Sequence, residues 1–112
     1  MDFTRFNAYR NMWIMVLFDL PTETKKERKD AAKFRKELLE DGFNMFQFSI
    51  YTRFCQSSEN VEVHTRRIKS RLPEKGHVGI FAITDKQFGR MEIFYGAKAQ
   101  PSKGDPQQLT LF

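Results

Sequence analysis

Asp19 is the residue best placed for chemistry. It directly follows the apolar run Trp13-Ile14-Met15-Val16-Leu17-Phe18 and precedes Leu20-Pro21, so it stands where a buried strand gives way to a helix and where open α/β layers gather ligands. A lone carboxylate can hold Mg2+ when phosphate oxygens and waters complete the shell, and such an ion polarises a phosphodiester and lowers the pKa of bound water. A second reading has Asp19 accept backbone hydrogen bonds in the turn at Leu20 to Thr22, a common use of Asp near helix starts. One Asp per chain is poor equipment for phosphodiester cleavage. A two-fold axis near the strand end would bring two together and make the dimer the site.

A second set is basic. Arg66, Arg67, Lys69, Arg71 and Lys75 follow one another with only Glu74 among them, and helical spacing puts several on one exposed side. Such a face either binds phosphates or is simply solvated. Neither His64 nor His77 belongs to a metal-ligating pair at helical spacing or to a cysteine-rich cluster, which makes both structural or solvent-facing. Cys55 is the only cysteine, excluding an intrachain disulfide and multi-cysteine zinc, and reads as a small buried hydrophobe. Neither a Walker-type loop nor a GxSxG elbow occurs, so nucleotide hydrolysis and serine-hydrolase chemistry have no support. Lys75 to Phe81 has a faint likeness to the stacking motif of RNA-recognition modules, but it follows the second helix, where that motif should precede it.

The elements that must position these residues follow from pattern. The six-residue apolar run fits a central strand buried on both faces. Thr24 and Glu27 make a capping box, and Ala31, Phe34 and Leu38 recur at helical spacing until Asp41-Gly42 closes helix one. From Phe46 to Phe54 the even positions Phe46, Phe48, Ile50, Thr52 and Phe54 predict one buried face, with Gln47, Ser49, Tyr51 and Arg53 on the polar side. Val61, Thr65, Ile68 and Leu72 predict helix two, ended by Pro73 and Gly76. His77 to Thr84 and Met91 to Tyr95 read as strands joined by a turn around Lys86 to Arg90, with Gly89 available for positive φ.

These elements predict an α+β sandwich of the ferredoxin-like kind, an antiparallel sheet with two helices on one face. That topology wants a hairpin between the helices, whereas residues 43 to 54 read more like one long or bent strand. Residues 1–96 are expected to form one folded domain with an N-terminal arm, and residues 97–112, with two Pro, one Gly and few apolar groups before a terminal Leu-Thr-Leu-Phe, read as a flexible tail. The 112 residues leave room for one core. Nineteen Lys and Arg against fourteen Asp and Glu give a charge of +5, compatible with a polyanionic partner. Seven basic and six acidic residues nearly cancel between Glu23 and Asp41, as on a solvated helix face. No membrane-spanning run occurs, and the lone cysteine suits a reducing compartment, so the cytoplasm is expected. Two helices cover one sheet face only; the other expects a second copy packed sheet to sheet, or else the N-terminal arm with Phe3, Phe6 and Tyr9.

Met12 to Thr22, Gln47 to Arg53 and His77 to Gly96 together closely resemble the second CRISPR-associated adaptation protein, a likeness spanning residues 9–96. Ile83-Thr84-Asp85-Lys86-Gln87-Phe88-Gly89 is similar to members from systems that cut with one large guided nuclease. The resemblance implies a ferredoxin-like homodimer, a Mg2+-dependent endonuclease or endoribonuclease activity assigned to the aspartate that Asp19 matches, and a place in the complex that inserts new spacers in antiviral defence. It implies as partners the adaptation integrase and double-stranded DNA or RNA, with the dimer either a nuclease or a non-catalytic bridge that measures the incoming duplex. The tail is poorly covered by it. Its Gln108-Leu109-Thr110-Leu111-Phe112 resembles the short peptides by which bacterial proteins dock on the replication sliding clamp; strand addition to a partner or to the integrase is the other use.

Overall fold

The computed structural model describes residues 10–100, the last three by backbone alone. Strand β1, Met12–Asp19, lies inside a four-stranded sheet. Helix α1, Lys25–Glu40, follows, then β2, Asn44–Gln47, and β3, Ile50–Cys55. Helix α2, Ser58–Lys69, leads to β4, His77–Thr84. The short helix α3, Asp85–Gly89, and the strands β5, Ile93–Tyr95, and β6, Lys98–Gln100, complete the described chain. Sheet order is β2-β3-β1-β4, and every adjacent pair is antiparallel. This is the α+β sandwich that the element order predicts.

Period-two alternation sends Ile14, Val16 and Phe18 to the side where Phe34 and Leu38 of α1 and Ile68 of α2 pack, joined by Phe43, Tyr51 and Cys55. The capping box holds α1: Thr24 accepts from the Glu27 N–H, and the Glu27 carboxylate accepts from the Thr24 N–H at 2.9 Å. Helix α2 is capped by Ser57 and ends before Leu72. That leucine is half exposed, so the fourth position of the predicted apolar stripe is not part of the core, and His64 is buried in α2 instead of Thr65.

The segment 43–55 is a hairpin. Gln47 pairs with Ile50 across a turn at Phe48-Ser49, and the register shifts between Met45 and Gln47, so the predicted single alternation breaks. Phe48, read as buried, is 68% exposed and lies under the Arg35 guanidinium at 4.2 Å from its ring centroid. Tyr51 and Cys55, of the opposite parity, are the residues that enter the helix-side core. Burial pushes the Cys55 thiol above its ordinary pKa, consistent with an inert packing role.

Lys86 to Arg90 is likewise not a simple turn. Thr84 and Gln87 form a second capping box that starts α3, and Gly89 does not take positive φ. Phe88 of α3 is fully buried and stacks on Trp13 at 4.1 Å between centroids, while the Trp13 Nε1–H donates to the Asp85 carboxylate at 2.7 Å. Part of the helix-free face is therefore covered by the chain itself. Strands β5 and β6 pair only with each other among the described strands. Their hairpin turns at Gly96 and carries paired backbone to Gln100, across the residue 96 boundary read from composition. Residues 1–9 and 101–112, with the N-terminal arm and the clamp-like peptide, lie outside the described residues.

Asp41 joins three elements. Its carboxylate meets His64 Nδ1 and the Arg67 guanidinium, each at 2.8 Å, and its carbonyl accepts from Arg53 Nε at 2.8 Å. Burial alone would raise the Asp41 pKa, but the hydrogen bonds and charges of His64 and Arg67 win and hold it below the usual carboxylate value of 3.8. A depressed carboxyl adds stability above its unfolded pKa and loses it as pH falls through the folded one. Asp41→Asn is expected to cost about 1–3 kcal/mol in urea unfolding at pH 7. That difference should shrink as the pH falls through and below the ordinary carboxylate range; a gap unchanged at pH 3 would contradict the assigned ionisation.

Candidate functional site

Strand β1 carries Asp19 to the rim of the sheet between two neighbours. On one side the Phe18 N–H donates to the Ser49 carbonyl at 3.0 Å, tying the strand end to the β2–β3 turn. On the other, Asp19 is the register partner of His77, the first residue of β4. Gly76 makes this approach possible. Its φ is +98°, and a Cβ there would stand 2.7 Å from the Asp19 carbonyl oxygen and 2.8 Å from Leu20 Cδ2, closer than any side-chain carbon tolerates.

The Asp19 side chain is exposed and, among the described residues, makes no hydrogen bond or ion pair. It does not accept from the turn at Leu20 to Thr22, so the turn-capping reading has no counterpart in the structure. Alternation puts it with Trp13, Met15 and Leu17 on the helix-free face. Trp13 and Met15 are buried, the former beneath α3, while Leu17, Phe54 and Phe81 remain more than a third exposed. The uncovered apolar patch thus occupies the part of the sheet that α3 leaves open. His77 is exposed beside Asp19. No cluster of three or more His, Cys, Asp or Glu able to hold a metal occurs among the described residues.

The basic set divides in two. Arg67 gives its guanidinium to Asp41, and Arg71 Nε lies 3.9 Å from the Glu37 carboxylate, so both face α1 and help to hold the helices together. Lys75 lies 3.8 Å from Glu27. Arg66 and Lys69 are exposed on the other side of α2, lining with Glu62, Ile80 and Phe81 a groove along β4. Strand β4 is a sheet edge, paired with β1 alone among the described strands, and helical spacing gives no sign of that groove because half of it belongs to β4. The sequence also gives Asp41 only as a helix stop. Its link to His64, 23 positions away, has no local signature. No described helix is long and apolar enough to cross a membrane.

The family model of CRISPR associated protein Cas2 matches residues 12–91. A CRISPR-associated endoribonuclease Cas2 of Flavobacterium psychrophilum is 64% identical over 110 residues, covering 98% of this chain and 96% of that protein. Another of the same name, from Parvibaculum lavamentivorans, is 52% identical over 101 residues, 90% of this chain and 100% of the relative. A third, from Paracidovorax avenae, is 49% identical over 105 residues, 94% and 97% of the two chains. With the central strand, the rim aspartate and the β2–β3 hairpin all inside the matched span, the chain belongs to the CRISPR-associated Cas2 family.

Proposed function

We propose that the chain acts as a symmetric dimer that binds duplex DNA during spacer acquisition, beside the adaptation integrase, and that its paired Asp19 carboxylates support Mg2+-dependent phosphodiester cleavage. The observation that carries this reading is an exposed, unpartnered carboxylate ending a central strand, on the same face as an open apolar patch of Leu17, Phe54 and Phe81. Apolar patches of that kind are normal at subunit interfaces and less usual on a free surface. The relatives' name, endoribonuclease, extends the substrate class to RNA.

The donor set fits magnesium in part. A hard carboxylate oxygen is the ligand Mg2+ takes, and Mg2+ sites commonly use one or two carboxylates with substrate phosphates and waters. One chain supplies one such group at this rim; a second copy related by a two-fold axis would supply the other. When bound, the ion would lower the pKa of a water and offset charge on the phosphoryl oxygens. The chain's own contribution is positional: the Ser49 carbonyl and the glycine at 76 fix the strand end that carries Asp19. His77 stands next to it on the same face.

Asp19→Asn preserves shape and removes the charge. Cleavage of RNA and DNA by the purified protein in Mg2+ is expected to fall by at least about a hundredfold, several kcal/mol of transition-state stabilisation, with the oligomeric state by sedimentation unchanged. Undiminished cleavage by the variant, or cleavage that survives EDTA, removes Asp19 from the chemistry.

The second reading, a non-catalytic bridge between duplex and integrase, draws on the exposed Arg66 and Lys69. Replacing both by Ala should reduce the salt dependence of duplex binding by about two in the slope of log K against log salt. Folding stability should stay within about 0.5 kcal/mol. Arg67→Ala, by contrast, is expected to cost about 1 kcal/mol of stability through the Asp41 link, the guanidinium being half exposed. An unchanged slope in the double variant would exclude this face from the duplex.

A further inference from the structure

The tip of the β2–β3 hairpin lies against a cation that no carboxylate of the described chain pairs with. Lys26, Lys33 and Lys36 of α1 each have an acid four positions on, within 4.0 Å. Arg35 has Ala31, Ala32, Leu38 and Leu39 at the corresponding three- and four-residue spacings, so its own helix offers it no partner. Its guanidinium instead packs over two rings, 5.3 Å from the Phe18 centroid and 4.2 Å from that of Phe48. Among the described residues it makes no ion pair or hydrogen bond, and its Nε is buried without an acceptor. Tyr51, which packs on Phe18, supplies no counter-charge, because burial raises its pKa and keeps the phenol neutral.

Phe48 is 68% exposed although one face of its ring meets the guanidinium, so the exposed area lies on the opposite face and the edges. The cation–π contact holds the ring, and the bond from the Phe18 N–H to the Ser49 carbonyl at 3.0 Å holds the turn that carries it. We propose that Phe48 and Arg35 form a subsite for one unpaired nucleotide, the ring stacking on the base and the guanidinium donating to an adjacent phosphate. An aromatic face stacks on any base, and the guanidinium fork matches phosphate oxygens. Inside a duplex both faces of a base are covered by its neighbours, so the ring can serve only a single-stranded stretch or an end. The net charge of +5 draws a polyanion to the same surface. The subsite adjoins the Asp19 rim, since Phe18 and Ser49, joined by that backbone bond, are the chain neighbours of Asp19 and Phe48. It rests on the nucleic-acid-binding reading above, adds the strand form that this edge takes, and is independent of cleavage.

The test measures fluorescence anisotropy of labelled oligo-uridylate and oligo-thymidylate of about twelve nucleotides, and of a blunt duplex, titrated with the full chain in EDTA. Phe48→Leu keeps apolar bulk without the aromatic face; single-strand binding is expected to weaken at least about fivefold while duplex binding stays within about twofold. Phe48→Trp should bind single strands at least as well as the parent. Arg35→Gln is expected to weaken the same binding and to lower its salt slope by about 0.7, whereas Arg35→Lys, which keeps the charge but not the fork, recovers the slope and not the full affinity. Circular dichroism and Tm of Phe48→Leu should match the parent chain, and Asp19→Asn should bind every probe as the parent does. Unchanged single-strand binding by Phe48→Leu, equal losses on single strand and duplex, or a parent chain that binds the duplex alone overturns the subsite and leaves duplex binding standing. A parent chain that binds no probe overturns both. A loss confined to one oligonucleotide supports the subsite and identifies the sugar it accepts.

Discussion

The double pairing of β1 governs the rest of the molecule. Six of its residues are matched to β3 and all eight to β4, so its backbone donors and acceptors are spent inside the sheet. This strand is apolar on both sides, and its first polar residue falls at the sheet rim. That residue is Asp19. The position of the carboxylate is therefore set by main-chain hydrogen bonding, and its freedom from side-chain partners leaves it available to something outside the chain.

The two faces of β1 are completed by different means. On one, Ile14, Val16 and Phe18 meet side chains from both long helices, and Asp41 ties those helices to each other and to β3. On the other, α3 supplies Phe88 over Trp13 but extends no farther. The open remainder runs from Phe54, opposite Trp13, through Phe81, opposite Met15, to Leu17, two residues before Asp19. The two ends of the strand differ accordingly: at the covered end the exposed Asp85 accepts from Trp13, while Asp19 at the other end has no partner among the described residues.

Much of this was legible in the sequence. The apolar run and its stop at Asp19-Leu20-Pro21 define β1 almost to the residue, and Thr24 with Glu27 fixes where α1 begins. The hairpin was not legible, because a two-residue reversal with a register shift exchanges which parity faces the helices, so Tyr51 and Cys55 are buried while Phe48 is not. Helix α3 is too short for periodicity to register; its one local signal was Thr84 followed three positions later by Gln87, the capping pattern. Asp41 could be seen as a helix terminus but not as a hub, since His64 and Arg67 reach it across the packing of two helices. The placement of Asp19 was readable from local pattern. Its lack of a partner among the described residues, and the division of the basic residues into helix-binding Arg67 and Arg71 and solvent-facing Arg66 and Lys69, required coordinates.

The contact between Trp13 and Phe88 has a practical corollary. Trp13 is the chain's only tryptophan, its ring is sandwiched against α3, and its N–H is committed to Asp85. The protein consequently carries a native optical reporter at the seam between sheet and short helix. Any event that lifts α3 hydrates the indole and breaks its one strong polar contact, so a red shift in emission distinguishes opening of this seam from rearrangements elsewhere in the fold, without a label being introduced.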